Sequence, residues 1–123
     1  MSKWKFVAMP RYQMRRNAIN KLLNLCGNLQ GKKLLEIGYG AGDIFSLYDK
    51  LGIDIYGYDY SDEAYQYVRN NVRIQNMTLL LKEDLIKKNG PYDFVVACEV
   101  MEHIKDDTLA LKKWVSYLKP GGV

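Results

Sequence analysis

LLEIGYGAGD, residues 34–43, sets a short apolar run directly against three glycines. Leu34, Leu35 and Ile37 read as a fully buried strand, Gly38, Gly40 and Gly42 as a tight turn, and Ile44, Phe45, Leu47, Tyr48 and Leu51 as the apolar face of a helix. Strand, glycine turn and helix in that order form a ligand-binding unit. Residues without a Cβ let a ligand lie against the backbone while the helix starts close to the strand.

Spacing and charge narrow the ligand. A dinucleotide fold uses G-x-G-x-x-G, which clears a pyrophosphate and offers it a helix N-terminus. Here the spacing is G-x-G-x-G, and Asp43 stands where the third glycine would be. A carboxylate at that mouth repels phosphate, so nicotinamide and flavin dinucleotides are disfavoured. Acids recur where strands end: Glu36 beside the turn, Asp59 in IYGYDYS, Asp84 in LLLKEDL and Glu99 in FVVACEV. In a parallel α/β sheet these tips converge on one crevice. Four carboxylates there suit a ligand carrying positive charge and ribose hydroxyls.

From about Lys32 to Val123 the chain resembles the class I S-adenosylmethionine-dependent methyltransferases, through motifs in order and at sensible spacing. EIGYGAG is similar to their first motif and Asp59 to their ribose-binding acid. Glu83-Asp84-Leu85 resembles the adenine-side motif, YDFVVACEVMEHI the fourth-strand motif, and LKPGG the turn before a fifth strand. The resemblance implies a Rossmann-like, doubly wound parallel sheet in the order 3-2-1-4 with flanking helices, binding S-adenosyl-L-methionine. It implies that Glu36, Gly38, Tyr39, Gly40 and Gly42 line the cofactor, with Cys98 and Glu99 at the tip of the fourth strand. Asp84 would accept from the adenine amino group while the backbone of Leu85 faces the ring. A helix before the first strand would close over the site, bringing Tyr12, Arg15 or Arg16 to the methionine carboxylate.

Residues 11–26 carry Met14, Ala18, Ile19, Leu22, Leu23 and Cys26 on one face and Asn17, Asn20, Lys21 and Asn24 on the other, which predicts an amphipathic helix ending near Gly27–Gly31. Residues 53–58 predict a second strand. Asp59 follows Gly38 by 21 residues, close to the separation that brings an acid to a ribose. The alternative for Asp59 is capping the next helix, but Ser61 fills that role, with Asp62 and Glu63 in the first turn. Tyr60 is then a candidate to pack on adenine, ordinary core packing being the alternative. Ala64, Val68 and Val72 give the third helix its stripe. Residues 77–81 predict a third strand and residues 92–98 a fourth. A last helix starts at Asp106 or Asp107, with Leu109, Leu111, Trp114, Val115 and Leu118 as apolar positions, and stops at Pro120-Gly121-Gly122.

The 123 residues suffice for one core, divided into a basic helical segment 1–31 and a cofactor-binding domain 32–123. No apolar run approaches the roughly 20 residues of a membrane span, and the N-terminus lacks the apolar core of a secretory signal, which predicts a cytoplasmic protein without a membrane partner. Cys26 and Cys98, in apolar contexts without CxxC spacing, read as buried reduced thiols. Residues 1–35 hold eight basic side chains and no acid, and the remainder ten basic and fourteen acidic. That front segment either meets an anion or lies as a solvated helix on an acidic body.

The sequence stops where the family begins its fifth strand, which predicts a cofactor-binding portion with strand four as an exposed edge, or self-association through that edge. Methyl transfer needs alignment above all, so no obligatory catalytic residue is expected. His103 is the sole candidate base, and a structural role suits it better. Glu99, Glu102 and His103 also have i, i+3, i+4 spacing, similar to the metal-binding ExxEH of enzymes that methylate the terminal ribose of small RNAs, though the further histidine those enzymes use is missing. The leading reading is methylation of a small-molecule acceptor. An RNA terminal-ribose methyltransferase and a non-catalytic cofactor-binding fragment are the alternatives.

Overall fold

The computed structural model describes residues 16–97 and 107–123. Tyr12, Arg15, Cys98, Glu99, Glu102 and His103 lie outside the described residues. The strands are β1 (Lys33–Ile37), β2 (Asp54–Tyr58), β3 (Met77–Leu80) and β4 (Phe94–Ala97). They form one parallel sheet ordered β3-β2-β1-β4, as the resemblance implies. The helices are α1 (16–24), α2 (Phe45–Lys50), α3 (Asp62–Asn71), α4 (Asp84–Asn89) and α5 (Asp107–Val115).

Helices cover both faces of the sheet, which is why its strands show apolar runs instead of polar alternation. On one side Leu34, Ile55 and Phe94 pack with Leu23, Phe45, Tyr48 and Val68. On the other Leu35, Ile37, Tyr58 and Leu80 pack with Ile86, Tyr92, Trp114 and Tyr117. Successive residues of β1 thus serve opposite layers. Among the described residues no helix is long and apolar enough to cross a membrane.

Three expectations are corrected. In α1 the inward residues are Ile19 and Leu23, while Ala18, Leu22 and Cys26 are exposed. Cys26 is therefore a solvent-facing thiol, held 3.2 Å from the Leu22 carbonyl at the frayed end of the helix. In α5 the inward face is Ala110, Trp114 and Tyr117, and Leu109, Leu111 and Val115 are exposed. Apolar residues stand on three sides of this helix, so the large aromatic rings, which bury the most area, set its orientation.

The outer edge of β4 is not left bare at its start. The Tyr92 N–H donates to the Tyr117 carbonyl at 2.9 Å and the Lys119 N–H to the Tyr92 carbonyl at 2.8 Å. Farther along, the Val123 N–H donates to the Asp93 carbonyl and the Val95 N–H to the Val123 carbonyl, both at 3.0 Å. The chain's own last residues occupy the first edge positions that the sequence reading left for a second copy.

Candidate functional site

The glycine turn joins the tip of β1 to α2 and lies beside the tip of β2, since Ile37 pairs with Tyr58. The Gly38 N–H donates to the Tyr58 carbonyl at 2.8 Å and fixes the turn to β2. Gly40 has φ +56° with nothing within 4 Å of where a Cβ would stand, so the backbone conformation demands glycine there and open space lies above it. Gly42, at φ +73°, has the opposite surroundings: a Cβ would come within 3.1 Å of Phe45 and 3.2 Å of Val68. It lets α2 and α3 close on the turn.

Asp59 stands across from this apex. Its Oδ2 accepts the Gly40 N–H at 2.9 Å and its Oδ1 the Ser61 N–H at 2.8 Å. Ser61 caps α3 by accepting the Ala64 N–H on its hydroxyl at 3.2 Å, as the sequence predicts. Asp59 is thereby released from capping. The Tyr60 ring is 57% exposed and meets Tyr58 edge-on at 5.2 Å between centroids, so it stands over the core and not in it. Leu81, just past the tip of β3, is 60% exposed beside it in the sheet order. Tyr60 follows Asp59 directly, and Leu81 follows Leu80, the strand partner of Tyr58. Burial, then the Glu83 carboxylate, raises the phenols of Tyr58 and Tyr60 above the ordinary tyrosine value.

Other predicted residues sit differently. Glu36 is 2% exposed and accepts the buried Tyr48 hydroxyl at 2.6 Å, so its carboxylate is a strut between β1 and α2 beneath the turn. Tyr39 turns its ring inward, 5.4 Å from the Phe45 ring and over Gly57, where a Cβ would stand 2.9 Å from it. Burial and the nearby Asp59 charge push that phenol far above its ordinary value. What Tyr39 can offer a ligand is its backbone. Asp84 is exposed at the first turn of α4, whereas the Leu85 N–H is already donated to the Lys82 carbonyl at 3.1 Å. The Leu85 main chain thus stands in the turn that opens α4. Glu83 beside them is ion-paired with Lys113 of α5.

Of the four acids expected around one crevice, Asp59 and Asp84 are on the rim, Glu36 is underneath, and Glu99 lies outside the described residues. At the start of α1 the Arg16 guanidinium has a buried Nη1 with no acceptor among the described residues. No group of three or more metal-ligating side chains occurs among the described residues. Sequence reasoning missed the inward ring of Tyr39 and the exposure of Leu81 just past β3. The one signal for the first was Gly57 inside a strand, since glycine there marks a close approach.

Residues 11–123 match a family model described as a methyltransferase domain. The chain is 28% identical over 119 residues to the ubiquinone biosynthesis O-methyltransferase of Acinetobacter baylyi (strain ATCC 33305 / BD413 / ADP1), covering 92% of this chain and 50% of that protein. Its fold is similar to the magnesium protoporphyrin IX methyltransferase from Synechocystis PCC 6803 with bound SAM. That match has a TM-score of 0.63 at 25% identity, over 86% of this chain and 52% of that one. A coclaurine N-methyltransferase bound to N-methylheliamine and SAH matches with a TM-score of 0.68 over 87% of this chain and 34% of that one; at 21% identity the likeness is one of fold. The chain spans about half the length of the curated relatives it matches.

Proposed function

This chain belongs to the methyltransferase-domain family, of the class I S-adenosylmethionine-dependent kind, and from that premise we propose that it seats S-adenosylmethionine over the glycine turn for methyl transfer to a small-molecule acceptor. The observation that carries the proposal is the Asp59 carboxylate at the tip of β2, facing the open space above Gly40.

The residues fit the group. Each oxygen of Asp59 spends one lone pair on a backbone N–H and keeps one for a ribose hydroxyl. Tyr60 and Leu81 offer apolar surfaces to a base, and Asp84 offers an acceptor to an exocyclic amine. The unpaired nitrogen of Arg16 favours it for the carboxylate end, with Tyr12 and Arg15 of the basic segment 1–31 as further candidates and Cys98 and Glu99 at the far rim. Gly38, Gly40, Gly42 and the Tyr39 backbone shape the floor, and the Glu36–Tyr48 strut keeps it fixed from below.

When bound, the cofactor supplies an electrophilic methyl group on a sulfonium whose leaving thioether is neutral. The chain's contribution is therefore orientation more than proton transfer: a rigid turn, a two-point grip on the ribose and a fixed base plane hold the donor for in-line attack. The small-molecule class is supported by the relatives' names, which specify ubiquinone biosynthesis and magnesium protoporphyrin IX. A cytoplasmic setting goes with that reading.

Calorimetric titration with S-adenosylmethionine, S-adenosylhomocysteine and NAD tests it. The first two should bind and NAD should not, and Asp59→Ala should weaken both at least about tenfold, the worth of one good charged hydrogen bond. Equal affinity of wild type and variant would remove Asp59 from the site.

A further inference from the structure

Glu83 stands immediately before α4, where a side chain could close on the free N–H groups of the helix start, yet it makes no capping bond. Its carboxylate turns to α5 and pairs with the Lys113 ammonium. That bond raises Lys113 above its ordinary value, with partial burial working against it. The helix that supplies the cation is itself fixed, because Trp114 and Tyr117 beside Lys113 are buried with Leu35, Ile37, Tyr58 and Leu80. An anchored helix thus holds one point of the turn between β3 and α4. What that turn carries gives the pair its meaning. Leu81 and Asp84 lie on it, two residues before Glu83 and one after, and both are exposed. Tyr60 feels the same pair from the β2 side. Burial raises the phenols of Tyr58, Tyr60 and Tyr117, the Glu83 charge raises them further and the Lys113 charge opposes it. Of the three groups proposed for the base, two are on the tethered turn and the third is within electrostatic reach of the tether.

We infer that Lys113 is a positioning residue for the adenine subsite: through Glu83 it holds the turn that presents Asp84 to the exocyclic amine. The inference rests on the S-adenosylmethionine reading and extends it to α5, which that reading gave no part. Both partners of the pair are partly exposed, and such pairs contribute little to global stability. Their effect is local. A hydrogen bond weakens steeply as its acceptor leaves the donor's line, so a loosened turn loses the contact with the base before it loses the fold. A site held by a supporting residue on a rigid element keeps its geometry at small cost.

Lys113→Met keeps the apolar stem and deletes the charge, Lys113→Arg keeps the charge, and Glu83→Gln deletes the opposite one. Wild type, these variants and the Lys113→Met/Glu83→Gln double variant are titrated with S-adenosylhomocysteine and with S-inosylhomocysteine, whose base has a carbonyl in place of the exocyclic amine. Exchange of the Leu85 amide proton, donated to the Lys82 carbonyl across the same turn, is followed by NMR. Lys113→Met and Glu83→Gln should each weaken S-adenosylhomocysteine by about threefold to fivefold and speed Leu85 exchange by a similar factor. S-inosylhomocysteine affinity and the melting temperature should stay where they are in wild type. Lys113→Arg should keep the wild-type preference for adenine, and the double variant should be no worse than either single one. Equal weakening of both ligands marks a merely structural pair and overturns the inference, as does a Lys113→Met protein with the wild-type preference or with unchanged Leu85 exchange. In each of those cases the cofactor reading stands. A wild type that takes both ligands equally overturns the inference too, since Asp84 then makes no bond to the amine. A wild type that binds neither ligand sinks the cofactor reading and the inference together.

Discussion

Two residues away from the crevice hold its floor. Gly57 has an ordinary strand conformation, so its role is space: a Cβ would stand 2.9 Å from the Tyr39 ring and 3.0 Å from Phe45. Gly57→Ala should destabilise the fold by about 1–3 kcal/mol, the usual cost of overpacking, and should loosen the turn whose residue 39 is displaced. A melting-temperature drop together with weaker S-adenosylhomocysteine binding is the expected result; unchanged melting would show that Tyr39 has another place to go. Tyr48→Phe acts from the α2 side by deleting the hydroxyl that the buried Glu36 accepts at 2.6 Å. Taking a donor from a buried carboxylate costs about 1.5–3 kcal/mol, and denaturant unfolding should read it as a lower midpoint at constant m. The Glu36–Tyr48 bond leaves no trace in a linear reading because it joins two layers, and the Tyr39 approach leaves only the glycine at 57.

Among the elements, α5 separates what pattern can decide from what packing decides. Its burial rests on Trp114, with Ala110 and Tyr117 alongside, and leaves Leu111 and Val115 in solvent. Trp114→Ala should therefore cost about 3–5 kcal/mol and Leu111→Ala under about 0.5 kcal/mol, as thermal or urea unfolding would show. Comparable losses at the two positions would mean that the helix is turned the other way. The sheet was more legible than the helices. β1 to β4 follow from apolar runs bounded by glycines, prolines and acids, because a parallel strand covered on both faces is apolar throughout, and their order follows from the resemblance. In α1 and α5 apolar residues exceed what one face can bury, so sequence admitted several rotations, and Cys26 was assigned to the wrong side. At the site, the glycine turn, Asp59 and the Ser61 cap were readable because each stands at a chain reversal. The bond from the Leu85 N–H to the Lys82 carbonyl was not, because where α4 begins depends on how it packs.

For the molecule as a whole, Asp93 gathers three separate parts of the chain. Its Oδ2 accepts the Lys33 N–H at the start of β1 at 2.9 Å and pairs with the Lys119 ammonium at 3.3 Å, next to the backbone bonds that hold residues 117–123 along β4. Partial burial works against the charged form. The Lys33 N–H and the Lys119 cation outweigh it, so the carboxyl is held below its ordinary 3.8. A native value below the unfolded one means that the unfolded chain takes up the proton first as pH falls. The stabilisation is therefore complete well above pH 3.8, declines below it, and is gone once pH passes the lower native value. Asp93→Asn retains an oxygen for the Lys33 N–H but loses the charge facing Lys119, so it should lower stability at pH 7 by on the order of 1 kcal/mol. Melting curves of the two proteins should converge as pH is taken from 7 down past the lowered native value, and about 1 M salt at pH 7 should narrow the gap by screening the Lys119 pair. A gap of the same size at every pH would mean that Asp93 holds β1, β4 and the last residues together through shape and neutral hydrogen bonds alone.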